Sequence, residues 1–199
     1  MRMIRAGMLA LAVLGAAGCN GNSKSPTAPS YSVARPAASA AGALGGVRTG
    51  FGFNGTVSGF PSGVVFLTGG GSFNAATASN VVPTVTDAKS GGGFRCVGAV
   101  AQGPLAGCAS GEGVRWDTAQ LLASTGFTCT GADAGKSAQT SAGTVVLLAD
   151  FYRACDGIEE SFTAKMIVAD TDIAPDIPGN QNLWGQGVGR DDAIVTFSR

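Results

Sequence analysis

The chain has 199 residues, 13 basic and 13 acidic side chains, 32 glycines and no histidine. Without histidine there is no Ser-His-Asp or Cys-His nucleophile system, no histidine general base and no histidine zinc site. Without a basic excess there is no electrostatic footprint for nucleic acid. Only 13% of the residues are charged, which points to a low-charge, turn-rich body.

The chain opens with Arg2 and Arg5, an apolar run from Met8 to Leu14, and the small residues Gly15-Ala16-Ala17-Gly18 before Cys19. This is the three-part form of a secretion signal, and the run is too short for a permanent membrane helix. Ala16-Ala17-Gly18-Cys19 resembles the lipobox of bacterial lipoproteins, with alanine at position 16 where leucine is usual. The resemblance implies a signal peptide over residues 1–18, removed by cleavage, and a diacylglyceryl group on the sulfur of Cys19. It also implies a further acyl chain, of the palmitate kind, on the new terminal amine. One acyl chain holds a protein only marginally at a membrane, whereas two or more anchor it stably. Asn20 follows the cysteine in place of aspartate; by analogy with enteric lipoproteins this favours the outer membrane over the inner one. Residues 19–48, rich in Pro, Ser, Ala and Gly, read as the lipidated cysteine and a flexible spacer. Loss of Arg2 and Arg5 leaves 11 basic against 13 acidic side chains, a mature net charge of −2.

Residues 49–199 suffice for a single domain. Short strands are expected over Gly50 to Val57, Val64 to Leu67, Val81 to Thr86, Phe94 to Ala101, Val114 to Asp117 and Thr125 to Cys129. Further on, Val145 to Phe151 is apolar on both faces, Phe162 to Ala169 alternates strictly, and Ala193 to Ser198 alternates again. Gly69-Gly70-Gly71 and Gly91-Gly92-Gly93 read as turns, and Thr118 to Ser124 as the one helical piece. About eight short strands with frequent turns predict an all-β fold, an antiparallel β-sandwich of Ig-like or jelly-roll-like kind, with a β-barrel as the alternative. The stretch from Asp150 to Ser198, with Glu160-Ser161-Phe162-Thr163-Ala164-Lys165-Met166-Ile167-Val168-Ala169-Asp170, looks like the closing strands of uncharacterised secreted bacterial β-sandwich domains. That resemblance implies a fold and transfers no activity.

With Cys19 given to lipid, Cys96, Cys108, Cys129 and Cys155 remain, an even number that favours two disulfides in an oxidising compartment. Three connectivities are open. Pairing Cys96 with Cys108 and Cys129 with Cys155 closes the shorter loops. A four-cysteine zinc site would need C-x-x-C pairs, which are missing.

Gly131 to Ser137 imitates a phosphate-binding loop one residue out of register and leads into a strand, so no nucleotide is expected. Asp170, Asp172 and Asp176 offer hard oxygens to calcium, although aspartates serve turns equally well. Glu112, Asp117, Asp156, Glu159 and Glu160 hold the carboxylates from which a glycosidase-type pair would come. Trp116 and Trp184 are either sugar-stacking platforms or core residues. The expectation is an exported, lipid-anchored envelope protein with a binding or structural module and no evident catalytic activity. Its partners are the membrane through the anchor and a protein or envelope glycan, and it needs no cofactor unless calcium. A carbohydrate-binding or carbohydrate-active domain is one alternative; a calcium-stabilised adhesion-type domain is the other.

Overall fold

The computed structural model describes residues 47–59, 63–82, 88–100, 106, 108–129, 133–152 and 161–198. The signal, Cys19 and residues 20–46 of the spacer lie outside the described residues, as do Cys155, Asp156, Glu159 and Glu160. Backbone contacts divide the chain between Ser39 and Ala40, and every described residue belongs to the second unit. No helix among the described residues is long and apolar enough to cross a membrane.

The second unit is all-β. Its strands are β1 (Thr49–Gly59), β2 (Val64–Phe73), β3 (Ala88–Gly98), β4 (Gly113–Leu121), β5 (Ser124–Phe127), β6 (Lys136–Gln139), β7 (Thr144–Tyr152), β8 (Ser161–Ala169), β9 (Leu183–Gly185), β10 (Gly189–Asp191) and β11 (Ile194–Ser198), with one short 3-10 turn at Ala75–Thr77. Nine of them form an antiparallel sheet in the order β10-β9-β8-β7-β4-β3-β2-β1-β11, and β5 pairs with β6 in a small second sheet. The large sheet bends until β10 also meets β1, but only through Ser58↔Arg190 and Gly59↔Gly189. The rest of that edge of β1 is taken by β11, from Asn54↔Ile194 to Gly50↔Ser198, so the sheet does not close as a barrel. Glycine is required at the β10–β1 contact: Gly189 has φ +124°, and a Cβ there would stand 2.1 Å from the Ser58 carbonyl oxygen.

Two cores follow from the alternation of side chains. On the inner face, Phe51, Phe53, Val57, Val65, Leu67, Phe73, Phe94, Trp116, Leu147, Phe151, Met166 and Leu183 pack into one cluster. On the outer face of β7, β8 and β9, Val146, Ile167 and Trp184 meet Leu122, Phe127, Cys129, Ala138 and Ala174 in a second cluster. The β5–β6 hairpin roofs this second core. Both faces of β7 are apolar because each covers a different interior.

The glycine triplets are strand interiors rather than turns. Gly69 pairs with Gly92 and Gly70 with Gly91 across β2 and β3. The reason is Trp116: a Cβ at Gly69 would lie 2.3 Å from its Cζ2, and one at Gly92 2.7 Å from its Nε1. The glycines form a slot for the indole, whose Nε1 donates to the Thr68 carbonyl at 3.1 Å.

Thr118 to Ser124 is not helical either. Strand β4 runs on to Leu121 with an irregularity between Thr118 and Gln120, and β5 starts at Ser124. The shift in phase sends Leu121 into the inner core and Leu122 into the second, which imitates a helical spacing. Of the strand expected over Val81 to Thr86, residues 81 and 82 form a bend and the others lie outside the described residues.

Cys96 and Cys108 are disulfide-bonded, with Cα atoms 6.2 Å apart. The bridge closes the β3–β4 connection, where Cys96 N–H donates to the Glu112 carbonyl and Gly111 N–H to the Cys96 carbonyl.

Candidate functional site

Because β2, β3, β4 and β7 are neighbours, their outward positions line up in rows across the sheet. One row runs Gly70↔Gly91↔Asp117↔Asp150 and the next Thr68↔Gly93↔Arg115. Residues directly opposite one another in an antiparallel pair share a face, with Cβ atoms about 4.5–5.5 Å apart. Asp117 and Asp150 are therefore side by side, with Arg115 one row away on the same face. Glycines 91 to 93 leave a depression of about 620 Å³ beside them, lined also by Arg115, Trp116 and Asp117.

The Asp117 carboxylate leans over Gly91, where a Cβ would stand 2.5 Å from its Oδ1. The depression is thus lined by one carboxylate and a guanidinium, a fork of donors, over a bare backbone floor, and the register sets Asp150 next to that carboxylate. Such a set suits a hydroxyl-rich molecule, whose groups both donate and accept. In the inner core, the void lined by Leu67, Phe94, Phe151 and Met166 measures about 10 Å³, no more than one water.

Of the residues singled out from sequence, Asp117 and the buried Trp116 line this depression. Asp150 carried no local signal, since its place beside Asp117 depends on the β4–β7 register. Glu112 accepts from the Ala109 N–H at 2.8 Å and so shapes the turn after the disulfide.

Trp116 is fully buried in the inner core, and Trp184 is 5% exposed in the second. Neither presents the open face that a sugar-stacking platform needs. The Trp184 indole packs on Phe127 with centroids 5.5 Å apart, and its Nε1 donates to the Thr128 carbonyl at 2.7 Å.

The three aspartates proposed for calcium do separate jobs. Asp170 lies against Gly143, whose N-terminal neighbours complete the turn into β7. Asp172 accepts from the N–H groups of Ala174 and Gln181 at 2.8 and 3.2 Å, and Asp176 pairs with Lys136 at 2.6 Å. Among the described residues no three Cys, Asp or Glu side chains are grouped to hold a metal ion. The hydrogen bond from Lys136, helped by one from the backbone of Asp176, holds the Asp176 carboxyl below its ordinary value. The same bond raises Lys136.

Cys129 is buried in the second core, apart from the Cys96–Cys108 bridge. Burial, and then the Asp133 carboxylate, push its thiol above the ordinary value. Its expected partner Cys155 lies outside the described residues.

No family model, curated protein or solved structure matches this chain.

Proposed function

We propose that the chain is an exported lipoprotein of the bacterial envelope, held by an acylated Cys19 and a spacer, whose β body is a binding or structural module. The observation that carries this reading is Ala16-Ala17-Gly18-Cys19 at the end of a short apolar run, followed by linker composition. The body is consistent with it: a disulfide in keeping with an oxidising compartment, and two tryptophans committed to packing. The test is intact mass of the detergent-extracted protein together with fractionation of Cys19→Ala. Loss of residues 1–18, a mass increase of two or three acyl chains, and release of the variant from membranes are the expected results. An unmodified mass, or membrane retention of the variant, sinks the proposal.

A second reading, an envelope-glycan binder, draws support from the Asp117, Asp150 and Arg115 grouping over its glycine floor. Titration with soluble cell-wall oligosaccharides should shift the amide resonances of Gly91, Gly93 and Arg115, and Arg115→Ala with Asp117→Asn should abolish the shifts. Unmoved resonances at millimolar ligand remove this reading.

A further inference from the structure

We infer that Arg95 and Arg115 together grip an oxyanion, so that the saccharide taken by the glycine-floored depression is an acidic one. This rests on the glycan reading of that depression and names the group by which its ligand is selected. The two arginines meet through the β3–β4 register: Arg95 is opposite Gly113 and Gly93 opposite Arg115. The arginines therefore occupy one diagonal of a four-residue square and the glycines the other. Diagonal neighbours on one face of a sheet are about 7–8 Å apart, a gap that two long side chains can close. Phe94 and Trp116, adjacent to them in sequence, point into the inner core, and both arginines are exposed on the outer face.

Each arginine borders a hollow. Arg115 lines the depression of about 620 Å³ over Gly91 to Gly93, and Arg95 lines a second of about 380 Å³ with Phe66, Val97 and Ser110. Gly93 and Arg95 are successive outward positions of β3, so the two hollows adjoin. Packing does not demand glycine at position 93: a Cβ there would meet only the Thr68 methyl carbon, at 3.5 Å, an ordinary contact. Its neighbour Gly92, by contrast, is dictated by the Trp116 indole. What Gly93 provides lies on the outside, where it leaves open the space between the two guanidiniums.

The charges are complementary to one kind of occupant. Among the described residues neither guanidinium makes a hydrogen bond or an ion pair, and two like charges within reach of each other repel. An oxyanion between them removes the repulsion and supplies acceptors to both donor forks. Asp117 lies two residues along β4 on the side of Arg115 away from Arg95. The outer face thus presents, in order, two cations, a bare floor and a carboxylate. A sugar bearing a phosphate or a carboxylate beside its hydroxyls matches this order, with the oxyanion at the arginines and a hydroxyl donating to Asp117.

The test is an NMR titration of the detergent-extracted full chain with N-acetylglucosamine, its 6-phosphate, N-acetylmuramic acid and inorganic phosphate. At least one of the two acidic sugars should bind tenfold or more tighter than the neutral one, shifting the side-chain Nε–H signals of Arg95 and Arg115 and the amide of Gly93. The tighter of the two identifies the oxyanion. Arg95→Gln should reduce that affinity to the level of the neutral sugar while leaving the unfolding midpoint unchanged, since the side chain is exposed. Equal binding of neutral and acidic sugars overturns the inference and leaves the glycan reading standing, and so does an acidic sugar whose affinity survives Arg95→Gln. Shifts with inorganic phosphate but with no sugar overturn both, leaving a bare anion site, and no shifts at all overturn both as well.

Discussion

On β7 and β8 alternate side chains enter two different interiors. Val145, Leu147, Phe151, Met166 and Val168 belong to a core walled by the large sheet on nearly every side, whereas Val146 and Ile167 share with Trp184 a core roofed by two four-residue strands. The inner core is packed through aromatic contacts running from Phe197 through Phe51 and Phe53 to Trp116, and it includes the Cys96–Cys108 bridge and the Trp116 bond to Thr68. The second core relies on polar clips at its rim: Trp184 to Thr128, Lys136 to Asp176, and Thr140 Oγ1 donating to the Leu122 carbonyl at 2.6 Å. The same strands thus support one interior that opens only if the sheet comes apart and one that opens when a hairpin lifts. Opening free energies in a folded protein range from near zero to the global value, and the hairpin belongs at the lower end.

The comparison breaks most severely at Trp116. Trp116→Ala should cost about 3–5 kcal/mol in denaturant unfolding, as large-to-small changes of buried tryptophan do, and should speed exchange in both cores alike. Next in size is the disulfide, both of whose cysteines belong to the inner core. Cys96→Ser with Cys108→Ser should remove about 2–4 kcal/mol by calorimetry, leaving the order in which the cores open unchanged.

Trp184→Ala should cost less overall, about 1–3 kcal/mol, while exchange accelerates in β5 and β6 well before β1 to β4. Equal acceleration throughout would mean that the two cores are one cooperative unit.

The smallest effect is expected at the Lys136–Asp176 pair, whose carboxylate is solvent-exposed, which weakens the pair. The Asp176 carboxyl titrates below its ordinary value when folded. Its contribution is therefore complete above the ordinary carboxylate range and fades as pH falls through the lower folded value. Lys136, raised by its partner, keeps its contribution through the ordinary lysine range and loses it only at higher pH. Asp176→Asn should flatten the acid limb of hairpin exchange and leave β1 to β4 unaffected.

Strand periodicity was legible wherever one rule governed a segment. The alternation of Ala164, Met166 and Val168 against Thr163, Lys165 and Ile167 marks β8 in sequence and matches its inward and outward positions. Apolar character on both faces of β7 was visible too, although the second interior that causes it was not. What escaped sequence reading depends on partners far along the chain. Gly69 and Gly92 look like turn residues until Trp116, brought in by the β3–β4 register, occupies the space that their side chains would fill. The adjacent leucines 121 and 122 imitate a helix because each serves a different core. The pairing of Asp117 with Asp150 lies wholly in long-range register, so the depression it borders could not be assembled from local patterns. The nearer cysteine pairing, by contrast, follows loop length, and Cys96 with Cys108 is bonded accordingly.

The chain has two tryptophans, and each core contains one. Both indoles donate to backbone carbonyls in sheltered surroundings, so each is an intrinsic optical label for a single interior. Trp116→Phe leaves emission from beneath the hairpin alone, and Trp184→Phe leaves emission from within the large sheet alone. Red-shifting of the first signal before the second during a urea ramp would time the two openings separately, without any attached dye.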